Sequence, residues 1–259
     1  MSDYPGARSR SQVIGTRSRS HLPGNANQFR AGADDDVAVD EGDAVDDVVF
    51  DLDLTRNRAD CWGHLGVARD LAAHFGVTLR GPRVEAVTSG AASSLPVEII
   101  AEENCASFSI THISGVTVGE SPRWVAQRLA HLGMRSINNV VDASNLVMLE
   151  TNQPNHAYDA SVVASFRIRL AHSGETLVTL DGQTRQLHTE DLLICNASDD
   201  SGVGLAGVMG DLHSEIAPTT TELALESAWF SPDPIRYSAQ RHGLRSEASV
   251  RFERGTDPN

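Results

Sequence analysis

An acidic residue stands at an unusual position in one predicted strand. Glu226 lies within residues 223–229 (LALESAW), where the alternation of a strand favours a small or apolar side chain. One interpretation is a strand carboxylate that faces solvent, as most glutamates do. The other is a buried hydrogen-bond acceptor, which penalises any ligand that lacks a matching donor. The residues alone leave both interpretations open.

A histidine offers acid–base chemistry. His156 lies within residues 154–158 (PNHAY), which we interpret as a turn that leaves a helix. A neutral imidazole can accept a proton from water or position the water for attack. A histidine that is simply hydrogen-bonded within the fold is the more common case, and the residues alone do not separate the two.

A glycine-rich segment, residues 206–210 (AGVMG), would let a ligand approach the backbone closely. It is neither a dinucleotide-binding fingerprint nor a P-loop, because it lacks their glycine spacing and the lysine. We interpret it as a loop whose N–H groups could stabilise a developing oxyanion. The alternative is a tight turn between two strands.

Arginines are the remaining candidates for a site. Arg135 follows a predicted helix end, where it could cap the last carbonyls of that helix. A cluster near the C-terminus either contacts RNA or pairs with Glu247 and Glu253. Its members are Arg236, Arg241, Arg245, Arg251 and Arg254. Arg241 and Arg245 are four residues apart and would share a face of one helix.

Strands that could position these residues follow from period-two patterns. Residues 48–55 alternate as a half-buried strand, and Asp181–Gly182 is typical of a hairpin turn. Further short strands are predicted at 107–119, 166–172, 176–181, 191–196 and 222–228.

Three helices separate these strands. Asp60 is a predicted cap for a helix whose apolar face ends near Phe75. A second helix begins at Ser121–Pro122 and ends at Gly133, and a third covers about 142–150. Because strands and helices do not alternate regularly, this order predicts an α+β fold rather than a βαβ array.

Composition limits the function classes. The chain has 259 residues, a net charge of −14 and no lysine. Such a polyanion does not bind nucleic acid by bulk electrostatics, so any RNA contact must be local or supported by a partner. Three widely spaced cysteines predict reduced thiols rather than disulfides or a zinc site. No apolar run suits a membrane span or a signal peptide, so we expect a cytoplasmic protein.

A set of segments in one fixed order resembles the β subunit of phenylalanyl-tRNA synthetase. The segments are 53–61 (DLTRNRADC), 133–145 (GMRSINNVVDASN), 153–159 (QPNHAYD), 225–230 (LESAWF) and 241–258 (RHGLRSEASVRFERGTDP). Any one of them is weakly specific, whereas the ordered set is highly specific. The resemblance extends over residues 48–259, about four-fifths of the chain.

The resemblance implies a fold and a domain organisation. Residues 96–259 are expected to form the B3/B4 editing domain, with layered, β-sandwich-like sheets and flanking helices. Residues 46–95 are expected to be a remnant of the N-terminal structural domain of the β subunit. Residues 1–45, which are basic and then acidic, are a predicted disordered leader. The family's chain is normally longer at both ends, so we expect a truncated or free-standing form.

The resemblance also implies an activity, the hydrolysis of tyrosine wrongly esterified to tRNA for phenylalanine. A synthetic pocket shaped for a phenyl ring rejects an added hydroxyl imperfectly, and a second site can demand that hydroxyl instead. On this basis Glu226 recognises the hydroxyl and His156 positions substrate or water. Arg135 holds the tRNA 3′ end. The remaining implied substrate-binding residues are Gly207, Gly210, Ser246 and Ala248.

Cofactors and partners follow from the same resemblance. No cofactor is expected for editing. ATP and Mg are expected only when a catalytic α subunit is assembled with the chain. The expected partners are the aminoacylated 3′ end of tRNA and, in an assembled synthetase, that α subunit, with no membrane. The alternative function is a non-catalytic tRNA-binding or subunit-assembly module.

Two departures from the family pattern bear on activity. Asp211 and Asn152 both stand where the family commonly has glycine. Asn152 is a mild change, because asparagine tolerates left-handed backbone. Asp211 is a more serious change, because its carboxylate would repel an anionic tRNA end.

Overall fold

The structure is a computed structural model that describes residues 10–16, 47–55, 57–82 and 95–256. Most of the predicted leader and of the predicted linker at 82–96 lies outside these residues. The α-helices of the described part are α1 His64–Phe75, α2 Arg123–His131, α3 Asn139–Thr151, α4 Pro232–Arg241 and α5 Glu247–Phe252. Its strands are β1 Arg10–Thr16, β2 Asp47–Asp53, β3 Val97–Ile99, β4 Cys105–Ser114, β5 Asn155–Asp159, β6 Phe166–Leu170, β7 Thr176–Val178, β8 Thr184–Gln186, β9 Leu192–Asn196, β10 Gly202–Leu205, β11 Met209–Gly210 and β12 Glu222–Phe230.

Two larger sheets carry the fold. One has five strands in the order β11-β10-β9-β6-β3, and the other has three in the order β4-β12-β5. All their pairs are antiparallel except β3 with β6. Two further antiparallel pairs are β1-β2 and β7-β8, and the N–H of Leu180, just after β7, donates to Gly210 O of β11 at 3.1 Å. This mixed arrangement confirms the predicted α+β class.

The main hydrophobic core lies where the two larger sheets face each other. Tyr158 of β5 and Phe108 of β4 approach Phe166 of β6, with ring centroids 5.3 and 6.0 Å apart respectively. Phe166 is fully buried, and so is Phe230 of the central strand β12. Aromatic contacts across the sheets therefore fix the two layers, as the sandwich-like prediction required.

Hydrogen bonds to a buried carboxylate fix the position of α3. Asp142 is fully buried and accepts hydrogen bonds from the hydroxyls of Ser121 and Ser136 and from the N–H of Ile137, the last at 2.9 Å. These bonds tie the start of α2 and the α2–α3 connection to the first turn of α3. Asn138 caps the same helix by accepting from the N–H groups of residues 140 and 141.

The segment before the sheets packs against α3 and α5. Trp62 is buried, and its carbonyl accepts a hydrogen bond of 3.1 Å from Arg251 of α5. Arg254 stacks over the Trp62 ring at 4.5 Å. Asn152 ends α3 in the left-handed conformation, with φ +67°, and its side chain donates to Ala59 O at 3.0 Å. The expectation of left-handed backbone at Asn152 is confirmed.

Several predicted elements are present with shifted ends. The hairpin around residues 181–182 is β7-β8, and the three predicted helices are α1, α2 and α3. Asp60 does not cap α1, because it lies in a short 3-10 helix, Ala59–Trp62, and Gly63 is the N-cap. The three cysteines are free and buried, as predicted.

Other elements have no clear periodicity in the sequence. The strand β1 lies within the stretch predicted to lack regular structure, and it pairs along its length with β2. Backbone pairing with a distant strand can order such a segment without any pattern of its own. The short strands β3, β10 and β11 and the helices α4 and α5 were likewise not predicted.

Candidate functional site

A cavity of about 330 Å³ opens between the two larger sheets, α3 and α5. This volume lies at the lower end of the range for small-molecule sites. Six of the seven sequence-predicted site residues line it. They are His156, Gly207, Gly210, Glu226, Ser246 and Ala248.

Glu226 lies on the buried face of the central strand. It is 5 % exposed, and its same-face neighbours Ala224 and Ala228 are also buried. The small neighbours fit the alternation of the strand and leave space beside the carboxylate. The interpretation of Glu226 as a solvent-facing strand residue is therefore wrong. Burial raises the pKa of the Glu226 carboxyl to about 7, although a hydrogen bond from Tyr158 acts to lower it.

Tyr158 is the hydrogen-bond partner of Glu226. Its hydroxyl donates to Glu226 Oε2 at 2.7 Å, and the residue is 1 % exposed. Burial, reinforced by the nearby Glu226 carboxylate, raises the pKa of the Tyr158 hydroxyl well above its ordinary value. Tyr158 was not among the sequence-predicted site residues. Its position two residues after His156 would have placed both on one face, had residues 155–159 been recognised as a strand.

His156 lies directly opposite Glu226 in the register of β5 with β12. It belongs to a strand rather than to a turn that leaves a helix, so that prediction was wrong. Its Nε2 is buried and has no hydrogen-bond partner within the described ranges. Burial lowers the pKa of His156 to about 4, so the ring is neutral near pH 7. A neutral ring with an unused nitrogen can accept a hydrogen bond from water or from a ligand.

The two glycines of the 206–210 segment let backbone approach side chains closely. Gly207 has φ +65°, and an added Cβ would lie 3.0 Å from Phe252 and 3.1 Å from Ile235. A Cβ at Gly210 would lie 3.1 Å from both Cε1 and Nε2 of His156. Gly210 therefore lets the backbone of β11 lie against the imidazole ring.

The backbone donors of this segment are fewer than the sequence suggested. Ala206 N–H donates to Leu192 O at 2.9 Å, and Val208 N–H donates to Leu205 O at 3.0 Å. The residues of β11 pair with β10. The N–H of Gly207 has no acceptor among the residues that the structure describes. Gly207 is thus the candidate oxyanion donor, and the segment combines a loop with a short strand.

Ser246 joins α5 to the glycine segment. Its hydroxyl accepts from Ser249 N–H at 3.0 Å and donates to Val208 O at 2.7 Å. Ala248 lies two residues further along and is half-buried. Both residues form the wall of the cavity, and the small side chain of Ala248 leaves the space beside Ser246 open.

Arg135 is the one predicted site residue that the structure does not bring to the cavity. It is exposed in the connection between α2 and α3. It does not cap α2 either, because backbone N–H groups of Gly133 and Met134 bond the last carbonyls of that helix. Any contribution of Arg135 must involve a part of a ligand outside the cavity.

The C-terminal arginines mostly form ion pairs. Arg251 pairs with Glu247 at 2.6 Å and Arg254 with Glu253 at 2.5 Å. Arg236 pairs with Asp233, and Arg241 pairs with Glu190 and Asp191. Arg245 is exposed and lies beyond the end of α4 at Arg241, so the prediction that Arg241 and Arg245 share a helix face was wrong.

Asp211 does not stand in the cavity, and its backbone is not left-handed. It is buried, and its carboxylate accepts the N–H of His213 at 2.8 Å. The expected repulsion of a tRNA end by Asp211 therefore has no structural basis. The carboxylate serves the turn that follows β11.

The described ranges contain neither a candidate metal site nor a candidate membrane-spanning helix. No three His, Cys, Asp or Glu side chains there lie close enough together to hold a metal ion. None of the described helices is both long and apolar enough to span a bilayer.

This chain is similar to a B3/4 domain family and to phenylalanine–tRNA ligase beta subunits. The B3/4 domain family matches residues 104–259. The phenylalanine–tRNA ligase beta subunit of Anaeromyxobacter dehalogenans is 49% identical over 218 residues, which are 83% of this chain and 27% of that protein. The beta subunit of Geobacter metallireducens is 43% identical over 225 residues, which are 85% of this chain and 28% of that protein. An N-terminal fragment of the phenylalanyl-tRNA synthetase beta subunit from Pyrococcus horikoshii aligns at a TM-score of 0.39 and 14% identity, covering 70% of this chain and 56% of that one.

The matches to curated relatives are strong but partial. This chain spans little more than a quarter of the length of those relatives, at 27% and 28%. The family match, by contrast, covers more than half of this chain. The chain therefore belongs to the B3/4 domain family and corresponds to the part of phenylalanine–tRNA ligase beta subunits that contains this domain.

Proposed function

We propose that this domain hydrolyses the ester bond between tyrosine and the 3′ end of tRNA for phenylalanine. The name of the relatives, phenylalanine–tRNA ligase beta subunit, indicates tRNA for phenylalanine as the RNA. It also indicates phenylalanine as the amino acid whose ester must not be cleaved. The observation that carries the proposal is Glu226, a buried carboxylate on the wall of a cavity large enough for an aromatic side chain. The reaction belongs to the cytoplasm, where aminoacylated tRNA is used.

Selection rests on the acceptor capacity of Glu226. A carboxylate accepts about four hydrogen bonds, so the single bond from Tyr158 leaves capacity for a ligand hydroxyl. Tyrosine supplies that hydroxyl. Phenylalanine displaces water from the carboxylate and returns no hydrogen bond, at a cost of about 1.5–3 kcal/mol or more. Sites of this kind discriminate by up to roughly 10⁴–10⁵-fold.

The hydrolysis itself needs an attacking water and a stabilised oxyanion. Water adds to the ester carbonyl, the bond to the ribose oxygen breaks, and the products are tyrosine and a free 3′-terminal hydroxyl. The neutral ring of His156, which lines the cavity, accepts a hydrogen bond from the water and positions it. The N–H of Gly207, which has no acceptor in the described part of the chain, donates to the developing oxyanion. No cofactor takes part in this scheme.

Binding of the tRNA backbone falls to exposed arginines outside the cavity. Arg135 and Arg245 are both exposed, and neither guanidinium has a partner within the described ranges. Local contacts of this kind are needed because the chain as a whole carries a charge of −14. We assign both residues to phosphates near the tRNA 3′ end.

Deacylation of purified substrates tests the proposal. The isolated protein should release tyrosine from Tyr-tRNA well above the spontaneous rate and should spare Phe-tRNA, both on tRNA for phenylalanine. His156→Gln should slow the reaction, whereas Glu226→Ala should remove the preference between the two esters. Equal release of both amino acids by the unmodified protein would contradict the assignment of Glu226.

A second candidate, a non-catalytic assembly module, is favoured by a different observation. The end of α1 and the residues after it expose three apolar side chains: Leu71 is 52% exposed, Phe75 68% and Val77 61%. Such a face suits a protein partner, for example a catalytic α subunit that would bring ATP and Mg. Filter binding with and without that subunit separates the two. Tight tRNA binding without deacylation supports the module.

A further inference from the structure

We infer that Tyr158 is a positioning residue that sets the preference for a hydroxylated ring by holding Glu226 in its binding orientation. This inference rests on the proposed function, because it concerns how the same cavity selects its ligand. It assigns to Tyr158 a role that the packing of the core does not require, since a phenylalanine would fill the same space.

Tyr158 is itself held on several sides. Its ring meets His156 edge-on, with centroids 4.5 Å apart at 76°, and lies 5.3 Å from the ring of Phe166. It is 1% exposed. The position of the hydroxyl is therefore fixed by the core and does not depend on a ligand.

Glu226, by contrast, has little else to hold it. Its neighbours on the same face, Ala224 and Ala228, carry no hydrogen-bonding side-chain group. Its side chain makes one hydrogen bond within the described ranges, the 2.7 Å bond from Tyr158 to Oε2. Because that bond uses Oε2, it leaves Oε1 as the oxygen for a ligand hydroxyl. Removing the Tyr158 hydroxyl frees the carboxylate to turn away.

The same bond affects the charge of the acceptor. Burial raises the pKa of Glu226 to about 7, and the bond from Tyr158 limits that rise. The other titratable groups around Glu226 are His156 on β5, Cys105 on β4, and Glu215 and Glu247 on the cavity wall. A carboxylate accepts more strongly than a carboxylic acid. The preference for a phenol should therefore weaken as the pH falls through about 7, and without the Tyr158 hydroxyl it should weaken at a higher pH.

Calorimetric binding of two stable ligands tests the inference without requiring catalysis. The ligands are tyrosyl- and phenylalanyl-adenosine joined through a 3′-amide, which water does not cleave. The unmodified protein should prefer the tyrosyl ligand. Tyr158→Phe should reduce that preference about tenfold or more and move its pH midpoint upward. Tyr237→Phe makes the same chemical change at an exposed position and should leave both quantities unchanged.

The outcomes separate this inference from the proposed function. If Tyr158→Phe keeps both the preference for the tyrosyl ligand and its pH midpoint, the inference is wrong and the proposed function still stands. If the preference disappears in Tyr158→Phe, the inference is supported. If the unmodified protein also fails to deacylate Tyr-tRNA, the proposed function is contradicted while the inference stands. Equal binding of both ligands by the unmodified protein overturns the inference.

A second measurement covers the case in which Tyr158→Phe fails to fold. Replacing all tyrosines with 3-fluorotyrosine keeps each ring and hydroxyl and makes each hydroxyl a stronger donor. The pH midpoint of the preference should then move downward, because a stronger donor stabilises the carboxylate. A midpoint that does not move overturns the inference.

Discussion

Glu226→Gln and His156→Gln should change the pH dependence of folding stability in opposite directions. The two residues face each other across β12 and β5, and each is shifted in pKa by burial. The folded pKa of Glu226 is raised from 4.5 to about 7, so its favourable contribution is complete below pH 4.5 and is lost as the pH rises to 7. The folded pKa of His156 is lowered from 6.5 to about 4, so its favourable contribution is complete above pH 6.5 and is lost as the pH falls to 4.

The expected magnitudes follow from these pKa values. Each displacement is worth roughly 3 kcal/mol when complete, at about 1.4 kcal/mol for a tenfold change in a protonation equilibrium. Between pH 4 and pH 6.5 the two contributions nearly cancel in the unmodified protein. Removing either group therefore exposes the slope of the other, with a change of roughly 2–3 kcal/mol over that interval.

Urea unfolding at a series of pH values measures the effect. Relative to the unmodified protein, Glu226→Gln should gain stability as the pH rises from 4 to 6.5, and His156→Gln should lose it. Differences between variants remove the contributions of other carboxylates, which are common to all. Glu102→Gln and His213→Gln make the same changes at exposed positions and should alter the difference by no more than about 0.5 kcal/mol.

Two results would refute this reasoning. Curves for both variants that run parallel to that of the unmodified protein would mean that neither group has the desolvated environment that the structure gives it. If His156→Gln is less stable than the unmodified protein mainly at acid pH, His156 is protonated in the folded state. It would then form an ion pair with Glu226, and its role as a neutral acceptor for water would be wrong.

Three further predictions concern residues in the site and outside it. Gly210→Ala should slow deacylation by roughly tenfold to a hundredfold in single-turnover assays, because the added Cβ would press on the ring of His156 at 3.1 Å. Asp142→Asn should lower the free energy of unfolding by about 2–4 kcal/mol in denaturant titrations, because three donors lose their shared carboxylate. Arg135→Ala should weaken tRNA binding and reduce the slope of log affinity against log salt by about one, without changing the preference between tyrosine and phenylalanine.

The sequence identified Glu226 as a candidate site residue, but it did not identify all the residues that surround it. Alternation in 223–229 calls for a small or apolar residue, and the structure places Glu226 between two buried alanines. Periodicity alone could not decide whether the carboxylate faced inward, because that depends on the second sheet. The family resemblance implied the recognising role, and the structure supplies its buried environment.

The environment of His156 was harder to predict. Residues 155–159 (NHAYD) form a strand with little apolar alternation, because both sides of β5 contact protein and its order comes from pairing with β12. Pairing of this kind is non-local and leaves a weak local signal. Tyr158 was missed for the same reason.

Helices α4 and α5 show the limit of composition as a guide. The sequence of α4, PDPIRYSAQR, has proline at its start and few apolar residues, yet Ile235 and Ala239 are buried against the core. Its C-terminal part is held by buried Asp191, which accepts from Ser238 at 2.7 Å. A contact between residues so far apart in the chain has no counterpart in local sequence.

The central claim is that a buried carboxylate makes the cavity prefer a phenol. Its most direct test is a mixed pool of Tyr-tRNA and Phe-tRNA, both on tRNA for phenylalanine and carrying distinguishable labels on the amino acids. Tyrosine should be released at least about a hundredfold faster than phenylalanine. Release of the two amino acids at the same rate, above that of spontaneous hydrolysis, would contradict the claim.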